Sequence, residues 1–167
     1  MKIVQIAGIL VVVLVIVGFV AYSYYEIENS NGHVNVSVTS SAFNAKSLNI
    51  TITAIDLRSS NYSLWTNYST GGTKINLMDY QNPHSYSFGN ISLIEDNYTM
   101  IRFNVTSATA EVNGTHFNLK LKRDYAEVAG NFDIPARLTT YFTLEFVLDG
   151  NINMTSHTFS PEIQVAG

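Results

Sequence analysis

Two hydrophobic regimes divide the chain. From Ile3 to Tyr22 apolar residues follow one another almost without a break, interrupted in polarity only by Gln5. From His33 onward apolar and polar residues alternate with period two, the pattern of strands that bury one face. Val34, Val36 and Val38 alternate with Asn35, Ser37 and Thr39; Leu48, Ile50, Ile52 and Ala54 alternate with Asn49, Thr51 and Thr53, and Ile55-Asp56-Leu57 follows. Ile75 and Leu77, with Asp79 as a continuation, oppose Asn76 and Met78. Ile101, Phe103 and Val105 oppose Arg102, Asn104 and Thr106, and Ala108, Ala110 and Val112 carry that strand to Asn113-Gly114. This Asn-Gly pair predicts a two-residue hairpin turn, with Phe117, Leu119 and Leu121 on the return strand. A strand over Thr139–Leu148 ends at Asp149-Gly150, and a last one runs around Phe159 to Val165 with Pro161 at its start or on an edge. No stretch after the leader has a sustained helical period. Seven to nine strands with regular turn signals predict an all-β, antiparallel β-sandwich.

The leader has two open readings. Lys2 before the apolar run places the N-terminus inside and the rest outside. Twenty residues at 1.5 Å each reach about 30 Å, enough to cross a hydrocarbon core. That run exceeds the usual length of a signal-peptide core, which favours a retained anchor. Ala21-Tyr22-Ser23, however, puts small residues at the two positions a signal peptidase reads, and cleavage there makes Tyr24 the new terminus. A pilin-like helix in a filament core is a third reading, although only Met1-Lys2 stand where such leaders carry a basic peptide and cleavage site. The chain thus divides into residues 1–23 (signal peptide or transmembrane anchor), 24–33 (linker or donor strand) and 34–167 (sandwich). After an anchor, Tyr22 to Glu28 reads as an interfacial aromatic belt. After cleavage it reads as a short amphipathic strand, with Tyr25 and Ile27 on one face and Glu26 and Glu28 on the other. Tyr24, Tyr25 and Ile27 would then form a donor strand that pairs with a neighbouring copy. Head-to-tail pairing of that kind does not close on itself and builds a filament.

Composition adds a location. The sequence has 167 residues, so about 140 remain beyond the leader, one ordinary domain with enough chain for a core. Charged residues make 13% of the chain, about half the usual share. Asn, Ser and Thr replace them, and the net charge of −4 leaves no basic footprint for nucleic acid. So few carboxylates suit an acidic exterior as well as a generic secreted surface. There is no cysteine, hence no disulfide and no thiolate metal site. Nine N-x-S/T sequons begin at Asn35, Asn49, Asn61, Asn67, Asn90, Asn97, Asn104, Asn113 and Asn153. Random placement of 17 Asn among 31 Ser plus Thr would give about three. Polar alternation on strand faces explains part of the excess, and a glycosylation load on an extracellular surface explains the rest. On a strand, the Asn and Thr of N-x-T share the solvent face while the middle residue (Val36, Ile50, Ile91, Val105) points inward. Glycans there would coat the sheets and block lateral association.

Candidate chemistry is sparse. His33, His84, His116 and His157 lack i,i+2 or i,i+4 partners and read as lone surface residues. Glu95-Asp96 reads as a turn before a strand, without the repeated carboxylate pattern of a Ca²⁺ loop. Asp133 and Asp149 read as solvated turn carboxylates, and Lys120, Lys122 and Arg123 as a solvated strand edge. Ser69 to Thr73, with Gly71-Gly72, reads as a flexible loop, since no helix follows to make a phosphate cradle. No Ser sits in a nucleophile elbow. Trp65, near Tyr62 and Tyr68, has a core or rim position as its plainer reading and sugar stacking as the sharper one; sequons at Asn61 and Asn67 flank it and crowd a binding face. No catalytic, cofactor-binding or metal-binding residue is expected.

The motifs Leu48 to Ile55, Trp65, Ile75 to Asp79, Asn97 to Phe103, Ala108 to Gly114, Phe132 to Pro135, Phe146 to Asp149 and Phe159 to Pro161 occur in this order. In that order they resemble the secreted β-sandwich domains grouped as domain of unknown function 4382, over about residues 34–166. The resemblance implies a surface location and no established activity. A glycan-rich, cysteine-free version is also similar to crenarchaeal surface proteins, including subunits of the thin filaments called threads. That likeness implies an N-terminal strand of one subunit completing the sandwich of the next. About ten residues separate Ser23 from Val34, enough for one short donor strand. The expected function is therefore a non-enzymatic, extracellular, N-glycosylated subunit of a surface filament, with neighbouring copies of itself as partners and no cofactor. The alternative is a single-pass surface or cell-coat domain, held in a membrane through residues 3–22, that binds protein or glycan.

Overall fold

The structure, a computed structural model, describes residues 13–25 and 30–166. The first ten residues of the apolar run, and Ile27 with its flanking glutamates, lie outside the described residues. One helix, α1 (13–25), precedes eleven strands. These are β1 (Asn31–Ser40), β2 (Ser47–Ser59), β3 (Trp65–Asn76), β4 (Tyr86–Ile94), β5 (Asp96–Val112), β6 (Thr115–Leu121), β7 (Tyr125–Ile134), β8 (Thr139–Phe146), β9 (Ile152–Asn153), β10 (Thr158–Phe159) and β11 (Ile163–Val165).

They form two packed sheets. One has the order β11-β8-β1-β4; the other runs β3-β2-β5-β6-β10-β9, and β7 also pairs with the N-terminal half of the long β5. The period-two pattern is what sorts side chains between core and solvent. Val34, Val36 and Val38 of β1, and Leu48, Ile50, Ile52, Ile55 and Leu57 of β2, have no exposed surface. The inward residues of the sequons on strands, Val36, Ile50, Ile91 and Val105, are all in the core, as their spacing requires. Phe103 of β5 stacks on Phe146 of β8 across the sheets, centroids 6.0 Å apart, and both are fully buried. A buried side chain of this size stabilises by about 1.5–3 kcal/mol.

Several details differ from the sequence reading. The sheets are mixed rather than wholly antiparallel: β1 lies parallel to β8, and β10 parallel to β6. Strand β7, not assigned from the sequence, alternates Ala126, Val128, Phe132 and Ile134 with Glu127 and Asp133 and pairs with β5, while β4 pairs with β1. The segment Ser69 to Thr73 is a bulge inside β3, not a loop between elements. Ser69 pairs with Ala54 and Thr73 with Ile52, so the intervening residues are accommodated by Gly71 and Gly72 at φ of 68° and 79°. Leu77 to Tyr80 form a short 3-10 turn, capped by the Asn76 side chain, where a strand continuation was expected. The Asn113-Gly114 turn closes the β5–β6 hairpin with φ of 51° and 78°, as the dipeptide predicts. Pro161 is buried in the connection between β10 and β11.

Strand direction defines two ends of the sandwich. β1 starts, β4 ends, β5 starts, β7 ends and β8 starts at one end, here the α1 pole. The β2–β3 connection is there too, because Arg58 pairs with both Trp65 and Met100. The β1–β2 connection, the β5–β6 hairpin and the segment after β8 lie at the opposite, far pole.

Candidate functional site

In α1 the apolar side chains are on the outside. Val13, Leu14, Val15, Ile16, Val17, Phe19 and Val20 are between 49% and 70% exposed, and eight consecutive residues cover every side of the helix. Among the described residues no helix is long and apolar enough to cross a membrane. Tyr24 and Tyr25, expected in a donor strand, are helical and exposed.

From Ser30 the chain is held by the sandwich on both sides. Glu95 N–H donates to the Ser30 carbonyl (2.8 Å), Arg137 N–H to that of Asn31 (2.8 Å), and His33 N–H to that of Leu138 (2.8 Å). Gly32 passes so close beneath the β7–β8 turn that a Cβ there would collide with the Pro135 carbonyl oxygen. Only hydrogen fits at that position. These contacts place the β4–β5 and β7–β8 turns on either side of the segment leading from α1.

A buried carboxylate organises the neighbouring loop. Asp96, 6% exposed, accepts from Asn61 Nδ2 (2.6 Å), its neighbour Asn97 N–H (2.8 Å) and the Ser59 hydroxyl. Ser59 Oγ in turn accepts from Tyr62 N–H (3.0 Å), and Ser60 N–H reaches the Asn97 carbonyl (2.9 Å). Asp96, read from the sequence as part of a turn before a strand, opens β5 and is the anchor that fixes residues 59–62. Nearby, the Tyr98 hydroxyl donates to the Ile94 carbonyl (3.1 Å); burial, and then the Asp96 charge, push its pKa upward.

These loops present large apolar side chains to solvent. Tyr62 and Leu64 are each 67% exposed, Leu138 60%, Ile94 59% and Trp65 38%. Leu64 and Leu138 each follow a non-glycine residue in the left-handed region, Ser63 (φ 54°) and Arg137 (φ 61°). Trp65 is therefore a rim residue on the outer face of its sheet. The Arg102 guanidinium lies 4.3 Å from its ring centroid and 4.6 Å from that of Tyr125, and donates from Nε and Nη2 to Glu127 Oε2 (3.0 and 2.8 Å). The sequence gives no period-based signal for Ile94, Leu138 or Asp96, since turn residues escape any strand template.

The sequons fall into two classes. Asn90, Asn113 and Asn153 are exposed; Asn35 and Asn49 are half-buried on strand faces. Asn67 and Asn104 donate to the two oxygens of Asp56 (2.6 and 2.8 Å). Asn61 is committed to Asp96, and Asn97 Oδ1 is buried with no hydrogen-bond partner. Of the two sequons closest to the α1 pole, Asn61 thus has its Nδ2 engaged by Asp96, and Asn97 has its side-chain oxygen buried.

Elsewhere, chemistry does not assemble. His33, His84, His116 and His157 are exposed and separate, as are Asp133 and Asp149. No group of three or more metal-ligating side chains occurs among the described residues. Lys120 and Lys122 are exposed, while Arg123 donates to the Pro161 carbonyl (2.9 Å) and pairs with Glu162 (3.4 Å). A shallow cavity of about 250 Å³ is lined by Thr39, Asn82, Pro83, Ser85, Thr143 and Ala166, with no titratable side chain. At the far pole Lys46 Nζ lies 2.8 Å from Glu111 Oε1, and that hydrogen bond holds the Glu111 pKa down against the opposing effect of burial.

A family model described as Domain of unknown function (DUF4382) matches residues 31–161. No curated protein matches, and no solved structure matches.

Proposed function

The chain belongs to the domain of unknown function 4382 family, and from that premise we propose that it is a membrane-tethered, non-catalytic β-sandwich of the cell exterior. The observation that carries this reading is α1, whose apolar side chains face outward on every side instead of packing into a core. An apolar helix exposed in this way needs lipid or another apolar surface to cover it. Twenty apolar residues from Ile3 to Tyr22 would reach about 30 Å as a helix, enough for a bilayer span. The sandwich is then the exterior body, and the sequons on its flanks and far pole give it a glycan coat. The test is alkaline extraction of native membranes, with the N-terminal peptide identified by mass spectrometry. Protein that stays with the membrane and retains Ile3–Tyr22 supports tethering. A soluble protein starting at Tyr24 overturns it.

Strand donation between copies is a second reading, with one observation in its favour. β11 covers only Leu144 to Phe146 of β8, so Thr139 to Phe142 have no strand neighbour on that side among the described residues. Such an edge accepts a short added strand, and Tyr24, Tyr25 and Ile27 would supply it if they became extended. β1, by contrast, already completes its own sheet between β4 and β8. Electron microscopy of surface preparations decides this: filaments lost on Tyr25→Asp with Ile27→Asp support donation, and filaments that persist, or none from the unaltered chain, overturn it.

A further inference from the structure

We propose that the α1 pole is a lipid-contacting surface: Tyr62, Leu64, Trp65, Ile94 and Leu138 rest in the interfacial layer of the bilayer that holds α1. The proposal rests on the tethering reading and deepens it by fixing which end of the sandwich meets the membrane, and through which side chains. Among the described residues outside α1, seven large apolar side chains are exposed, and five of them sit at this one pole. The other two, Tyr141 and Val165, lie on the flank of the β8 sheet. Trp and Tyr together with branched aliphatics suit the membrane interface, where one part of each side chain is apolar and the other is wet.

Continuity with α1 identifies the occupant. Tyr25 is helical and Ser30 is already hydrogen-bonded to the sandwich through Glu95. Five residue steps span at most about 17 Å whatever their path. A sandwich joined to a membrane helix by so short a connection cannot stand far from the bilayer, and the end it turns to the lipid is the end bearing these side chains. The loops are also rigid beforehand. Asp96 pins residues 59–62, and Arg137 and Leu138 are tied to β1, so contact costs little ordering. Charge is a weak contributor, because Arg137 shares this pole with Glu95 and Asp133, which are exposed too. The contact is therefore apolar and insensitive to salt.

Trp65 is the chain's single tryptophan, a native probe of this surface. The full chain is reconstituted into phosphatidylcholine bilayers with and without bromine on the acyl chains, and Trp65 emission is compared. Two cysteine variants of the cysteine-free chain, Val17→Cys in α1 and His116→Cys at the far pole, carry fluorophores as references. Interfacial side chains reach about 5–10 Å toward the acyl boundary, so bromine should cut Trp65 emission by about half and leave the far-pole label unchanged. The exposed triple variant Leu64→Ser, Ile94→Ser, Leu138→Ser should restore Trp65 emission without moving the Val17→Cys signal. If the α1 label is quenched and Trp65 is not, the pole does not touch lipid and the tethering reading survives. If neither responds, both fall. A blue-shifted Trp65 that bromine does not quench overturns the proposal in favour of a protein partner on this pole.

Discussion

The two poles of the sandwich are built from similar turns and finished in opposite ways. At the far pole the outward residues are Asn44, Lys46, Asn82, His84, Asn113, His116 and Asp149, and no large apolar side chain is exposed. At the α1 pole Ser59 and Asp96 are buried in a network with Asn61, and five large apolar side chains are exposed beside the charged Glu95, Asp133 and Arg137. Folding alone favours the first arrangement, since it leaves charge in water and carbon inside. The second places a carboxylate in the protein and five large apolar residues in solvent, a pattern explained by something other than water at that end.

The sharpest way to break this comparison is glycan occupancy, which should be all-or-none. Asn113 sits at the exposed tip of the far-pole hairpin and is expected to be occupied. Asn61, whose Nδ2 is engaged by Asp96, and Asn97, whose Oδ1 is buried, are expected to be empty at the α1 pole. Glycopeptide mass spectrometry reads both, and a full-sized glycan on Asn61 would remove the lipid-facing interpretation of that end.

Next in size is Asp96→Ala. It leaves Ser59 and Asn61 without their acceptor and should cost about 2–3 kcal/mol. For a domain of this size that lowers the melting temperature by roughly 8 °C. A loss below a few tenths of a kcal/mol would mean that water can replace the carboxylate, and that the loop is not fixed in advance.

Glycine substitutions separate the poles by mechanism. Gly32→Ala forces a Cβ against the Pro135 carbonyl and Ile134 Cγ2, a packing clash of about 1–3 kcal/mol. Gly114→Ala meets no atom within 4 Å but keeps φ at +78°, so its cost is conformational, about 1 kcal/mol. Chemical denaturation of both variants gives the ranking, and only Gly32→Ala should also loosen the β7–β8 turn in hydrogen exchange.

The smallest effects are on pH, and their signs are opposite. The Glu111 pKa is lowered by Lys46, so this pair stabilises the fold above the ordinary carboxylate range and is lost as pH falls through the folded value. The Tyr98 pKa is raised by burial and then by the Asp96 charge. Its contribution is complete below the ordinary tyrosine range and lost as pH rises through the folded value. Acid therefore loosens the far pole first and alkali the α1 pole. Glu111→Gln and Tyr98→Phe should each flatten one limb of the stability curve; because Lys46 is largely exposed, the acid limb should also shrink in salt.

Much of the fold was legible in the residues because a half-buried strand must alternate. That rule alone places Val34 to Val38, Leu48 to Leu57 and Ile101 to Val105 in the core and puts the sequon asparagines outside it. The Asn113-Gly114 turn is equally local, since few dipeptides accept two consecutive positive φ values. Which strands become neighbours is not local. The parallel pairing of β1 with β8 joins segments about a hundred residues apart, and the alternation within β4 and β7 does not say that their partners are β1 and β5. Gly71-Gly72 is a loop signal that became a bulge because β2 runs on past it. The α1 pole is the extreme case. Leu64, Ile94 and Leu138 are each unremarkable turn residues in sequence, and only the closing of two sheets brings them together beside the helix. The sequence by itself determined the class of fold, the apolar leader and the sequon positions, because each depends on residues close together in the chain. Tertiary structure decided the orientation, the buried Asp96 and the apolar pole, because those depend on which distant turns share an end.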